Sequence, residues 1–139
     1  MKNRTLVLFV VSFVMYTWVD VLLWQRIFES HELWEFIPQY KRGWFMVLAL
    51  VMATGAVALG DVKNSIWFVC AMWLSAWTGL EDVLYYVFDG RSLPEYYHWL
   101  EGSRLFLGYD KHSVLATAFL WQIIILSSFF WLKKWQTSN

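Results

Sequence analysis

Residues 5–24 read TLVLFVVSFVMYTWVDVLLW, a nearly unbroken apolar run that carries one acid, Asp20, close to its end. A hydrocarbon core needs about 20 consecutive apolar residues of helix, so this run predicts a membrane crossing. The start, MKNR followed by an apolar stretch, mimics a secretory leader. The run is long for one, holds Asp20, and no small-x-small cleavage site follows it, so we expect a retained first span. A carboxylate at membrane depth costs about 2.5–3.5 kcal/mol on insertion scales, and is tolerated mainly where it faces protein, a partner or water. Asp20 therefore marks a candidate site.

Three further runs, 44–60, 65–88 and 114–132, have the same character, and the third ends with Glu81 and Asp82 near its close. The expected fold is all-α: an integral membrane four-helix bundle, up-down-up-down, formed by residues 1–139 as a single domain. Composition agrees. Apolar residues make up 59% of the chain, above the roughly 45–50% of soluble domains. Charged residues make up 16%, below the usual quarter or so. The eleven tryptophans suit membrane interfaces. Net charge is zero with no basic run, which argues against nucleic acid as a partner. Cys70 is the sole cysteine, so an internal disulfide and a cysteine-built zinc site are both excluded.

Only DVKN, 61–64, separates the second and third runs, with Asn64 or Ser65 available to cap the third helix. The other connections, 25–43 and 89–113, are long. Four crossings place both long connections on one side and the termini with the tight turn on the other. Lys2, Arg4, Lys133 and Lys134 flank spans closely, so the termini are expected in the cytoplasm. The overall count, five basic residues against six including Arg104, adds little to that.

Each long connection is expected to hold a short interfacial helix. One starts at Ser30 and ends before Pro38, and the other starts at the capping-box pattern Ser92–Glu95 and stops at Gly102. His31, His98 and His112 and nearly every acid then crowd the same face as Asp20 and Asp82. On the third helix Ala71, Ser75 and Gly79 form a small-residue stripe that includes Asp82, so Asp82 is expected to point inward and Glu81 to lie about 100° away. The second span offers Ala49, Ala53, Ala56 and Gly60 for close packing, and Gln122 is the polar residue of the fourth.

Asp82, Asp20 and Glu81 are the candidate catalytic acids. Glu95 and His98 form a Glu-x-x-His pair with Glu101 a turn beyond, and His31 heads a second His/carboxylate face. With Asp82 these are candidate ligands for zinc, iron or manganese. The solvated face of an interfacial helix explains each exposed glutamate as well when taken alone. The leading expectation is a small membrane enzyme acting on a lipid-like or apolar substrate at one membrane face by acid–base or metal-assisted chemistry. The alternatives are an accessory subunit of a larger membrane complex or a homo-oligomer, and a cation- or proton-coupled binding or transport protein. Transport needs access from both sides, and the termini side has almost no polar groups at membrane depth.

Overall fold

The computed structural model describes residues 1–102 and 105–137, and these are almost entirely helical, with no strand. Five α-helices follow in order: α1 Asn3–Leu23, α2 Ile37–Leu59, α3 Val62–Trp77, α4 Leu80–Asp89 and α5 Lys111–Thr137. Three helical stretches, Asn3–Glu29, Trp34–Leu59 and Lys111–Trp135, are long and apolar enough to cross a membrane. Only 17% of the most apolar window in the second of these is buried, so a protein core does not account for its hydrophobicity. Val7, Val10, Val11, Val14, Leu50 and Val57 face outward, while Thr5, Thr17, Asn64, Ser75, Thr78 and Thr117 are buried. That is the reverse of the usual soluble pattern.

The expected third span is not one helix. It breaks at Thr78–Gly79, where Gly79 takes the left-handed conformation (φ +84°), and α4 starts afresh at Leu80. Glycine enters that region without the Cβ clash other residues meet. Both pieces pack on α1 and on α5, so α4 carries on the column that α3 begins.

The connections also differ from expectation. Beyond α1 the chain keeps coiling as a π-helical turn, Trp24–Glu29. Ser30 closes that turn by donating its hydroxyl to the Arg26 carbonyl at 2.5 Å, rather than capping a new helix. A single 3-10 turn, Trp34–Phe36, leads straight into α2. Pro38 sits in the first turn of α2, where its missing N–H is no loss, so it opens a helix instead of ending one. The second interfacial helix is likewise absent: Ser92–Glu95 starts no helix, and His98–Leu100 is one 3-10 turn. The chain there pairs with itself. Tyr97 donates its N–H to the Tyr109 carbonyl at 2.8 Å, and Lys111 donates to the Glu95 carbonyl at 3.1 Å. A Tyr-Tyr-His-Trp run favours extended backbone over helix, and the pairing satisfies its polar groups. Gly102 does stop that turn, in the left-handed conformation (φ +87°). Arg104 lies outside the described residues.

At the far end, the α2–α3 turn meets the N-terminus, and the N-terminus meets the end of α5. Asp61, not Asn64 or Ser65, caps α3: its Oδ1 accepts from the Asn64 N–H at 3.0 Å. Hydrogen bonds from the Asn64 backbone and side chain hold the Asp61 carboxyl below the usual range. Buried Asn64 in turn accepts from the Thr5 hydroxyl at 2.7 Å. Arg4 donates to the Leu59 carbonyl at 2.5 Å, and Lys133 to Asn3 Oδ1 at 2.7 Å. Between the ends, Phe9, Trp67, Phe68, Met72 and Phe129 form the core, with Trp67 edge-on to Phe9 and Phe129. Gln122 is indeed paired within the helices, donating to Ser75 Oγ at 3.0 Å. The close approach of α2 to α3 is at Gly55, not along the expected alanine face. Ala49, Ala53 and Gly60 are exposed, Ala56 is half-buried with its carbonyl accepting from the Ser65 hydroxyl at 2.7 Å, and Phe68 packs directly on Gly55.

Candidate ligand cleft

Each expected acid of the spans reaches one place. A cleft of about 830 Å³ opens at the end of the helices opposite the termini. Its walls come from Asp20 on α1, Trp24 in the π-turn, Tyr40, Lys41 and Trp44 on α2, Trp77 on α3, and Glu81, Asp82, Tyr85 and Tyr86 on α4. Trp99, Glu101 and Phe106 of the long connection complete it.

Asp20 is buried, 9% exposed, and accepts the hydroxyl proton of Tyr40. Glu81 is 6% exposed and within hydrogen-bonding reach of the Asp20 carboxyl and the Trp44 indole, while its Oε1 has no hydrogen-bond partner among the described residues. Asp82 is half-buried and accepts from Trp99 Nε1 at 2.6 Å. The expected order of the two α4 acids is therefore inverted: Glu81 points in, and Asp82 sits nearer the rim. A helical wheel run from Ala71 to Asp82 assumes 100° per residue throughout, and the left-handed Gly79 resets that angle. The Ala71 and Ser75 part of the stripe is buried as expected, because it precedes the break. A second, small cavity of about 30 Å³ lies behind Asp20 among Tyr16, Tyr40 and Trp44, about the space of one water molecule. The buried Tyr16 hydroxyl has no partner among the described residues.

The proposed metal ligands do not assemble. Glu95 and His98 were expected one turn apart on one helix, but Glu95 lies in a bend, Tyr96 in an isolated bridge to Asp110, and His98 only opens a 3-10 turn, so they share no helix face. Glu95 is exposed and meets Lys111 at 3.4 Å, and His98 meets Glu101 at 3.3 Å. His31 is exposed and bonds locally, its Nδ1 lying 3.0 Å from the Ile27 carbonyl. His112 is exposed at the start of α5. Just before it, Asp110 caps that helix, and hydrogen bonds from Ser113 and His112 hold its carboxyl below the usual range. Among the described residues no three His, Cys, Asp or Glu side chains are placed to share one ion. Of the expected metal ligands, only Asp82 and Glu101 line the cleft.

Tyr40, Lys41 and Trp44 are site residues that sequence reasoning missed. A signal was present: Ile37, Tyr40, Lys41 and Trp44 follow the i, i+3, i+4, i+7 spacing of one helix face. Taking Pro38 as a stop hid it. Arg91 also went unremarked. It meets Asp89, Glu29 at 3.4 Å and the Tyr85 hydroxyl at 2.9 Å, fastening the end of α4 to the π-turn after α1. Searches of protein-family models, curated proteins and solved structures match nothing to this chain, so the cleft has to be read from its own residues.

Proposed function

We propose that the chain is an integral membrane protein that holds a lipid-like or apolar molecule in this cleft and acts on it by acid–base chemistry. Four crossings follow if α3 and α4 together form the third. The observation that carries the reading is Glu81: a buried carboxyl with an unpartnered oxygen, facing a cleft walled by aromatic rings. An aromatic wall accepts an alkyl or ring system, while a few convergent polar groups orient it. In this reading Glu81 exchanges the proton with the substrate, Tyr40 positions Asp20, and Trp99 positions Asp82. A zinc, iron or manganese version would rest on Asp82 and Glu101, the two expected ligands that line the cleft, and elemental analysis of protein purified without chelator tests it separately.

Two measurements test the proposal. For topology, Cys70→Ala protein receives single cysteines in the 25–43 connection, in the 89–113 connection and at Lys63. An impermeant thiol reagent should reach the first two from one side and the last from the other. Labelling of the two long connections from opposite sides would exclude four crossings. For chemistry, the protein in phosphatidylcholine nanodiscs is incubated with a lipid extract and the products are followed by mass spectrometry. Some component should be converted by the wild type, and at least about a hundredfold more slowly by Glu81→Gln, the size expected for loss of a general acid or base. A wild type that neither retains nor converts any component would sink the reading.

A further inference from the structure

The walls of the cleft are not only acidic; they are short of cations. Asp20, Glu81, Asp82 and Glu101 line it against a single basic side chain among the described residues, the exposed Lys41. Arg91, the cation nearest in sequence to α4, does not line the cleft and is committed to Asp89, Glu29 and the hydroxyl of the wall residue Tyr85. Asp20 and Asp82 each already accept one neutral donor, from Tyr40 and Trp99. Glu81 Oε1 accepts none, although the residue is 6% exposed. A buried acceptor left without a donor is costly, and native structures rarely keep one unless something else supplies the donor.

We propose that the occupant of the cleft is an amphiphile with a cationic N–H headgroup, a primary or secondary ammonium, seated against Glu81 between Asp20 and Asp82. This rests on the reading of the cleft as an amphiphile site and adds the chemistry of the head. The balance of four acids to one lysine among the described lining residues disfavours an anionic head. The unpartnered oxygen separates an N–H ammonium from a quaternary one, because only the former donates a hydrogen bond. Trp44 and Trp99 on the same walls are the rings left to attract a cation, since the Arg91 guanidinium already lies over Tyr85 and Tyr86, 5.6 Å from each ring centre. The remaining aromatic wall, Trp24, Phe45, Trp77 and Phe106, is left for the chain.

The test uses the full chain in phosphatidylcholine nanodiscs and four probes with one shared brominated alkyl chain. Their heads are a primary amine, a trimethylammonium, an alcohol and a carboxylate. Bromine quenches tryptophan fluorescence, and Trp24, Trp44, Trp77 and Trp99 all line the cleft. At neutral pH an alkylamine is protonated, as lysine is. The amine should quench saturably, with affinity at least about tenfold above the alcohol, the trimethylammonium probe and the carboxylate. Glu81→Gln, checked for an unchanged melting temperature, should remove most of that advantage and leave the alcohol unaffected. If that variant does not fold, the ranking of the four heads on the wild-type protein still decides. Saturable binding of the alcohol or the carboxylate at or above the amine overturns the headgroup assignment and leaves the cleft reading standing. Equal binding of the amine and the trimethylammonium probe overturns the hydrogen bond to Glu81. Saturable quenching by none of the four overturns both the assignment and the cleft reading beneath it.

Discussion

Gly79→Ala should lower stability by roughly 2–5 kcal/mol, combining the strain of a left-handed non-glycine residue with overpacking. The backbone there has φ +84°, and an added Cβ would stand 2.8 Å from Phe106 Cε1 and 3.1 Å from Val114 Cγ1. Neither contact relaxes cheaply. Val114 is fully buried, and Phe106 is part of the cleft wall. Gly90→Ala is the matching control. Its φ is +71° with nothing within 4 Å of the added carbon, so it should show the strain alone, about 1–2 kcal/mol. Unfolding of both variants in mixed micelles by a denaturing detergent checks the pair. Because the break orients α4, Gly79→Ala should also weaken binding in the cleft, as read by the brominated amine. A Gly79→Ala protein as stable as the wild type would mean that α3 and α4 can straighten into one helix without loss.

Gly55→Val should be the most damaging single change within α2. An added Cβ there would lie 2.3 and 2.4 Å from ring atoms of Phe68, which has no exposed surface on which to retreat. The backbone at Gly55 is ordinary helix, so the cost is purely steric, on the order of 1–3 kcal/mol or somewhat more for the branched side chain. Gly43→Ala, in the same helix with nothing within 4 Å, should be neutral or stabilising by up to about 1 kcal/mol, because alanine is the better helix former. Combining Gly55→Ala with Phe68→Leu should recover part of the loss, since the smaller side chain vacates the space. Loss of the same size for Gly43→Ala and Gly55→Ala would show that helix backbone, not the Phe68 contact, sets the effect. These estimates do not depend on what surrounds the helices, because a steric overlap costs the same in lipid and in water. The burial term of a soluble core would not carry over in that way.

The α1 face was legible because helix periodicity is local. Phe9, Phe13, Tyr16, Thr17, Asp20 and Trp24 share a face by sequence spacing, and all but the half-buried Trp24 are buried. The pairing of Ser75 with Gln122 was harder, since polar groups on two separate helices declare no partner. The histidines misled for a related reason. Glu95 and His98 look like a ligand pair only if the backbone between them is helical, and the Tyr-Tyr-His-Trp segment pairs with residues 109–111 instead. Tyr40 shows the opposite error. Its helical spacing was present, but the proline before it was taken for an end.

The sequence by itself determined that the chain is helical, that 5–24, 44–60 and 114–132 lie in helices apolar enough to cross a membrane, and that carboxylates stand at the end away from the termini. Those follow from composition and from a period of 3.6, which each segment carries within itself. Only the tertiary structure decided that Glu81, not Asp82, is the buried acid, that α2 supplies Tyr40, Lys41 and Trp44 to the cleft, and that Gly55 is where α2 and α3 meet. Each of these turns on one residue's backbone angle or on contacts between distant segments. A left-handed Gly79 rotates everything after it, and no local pattern records which way a helix restarts.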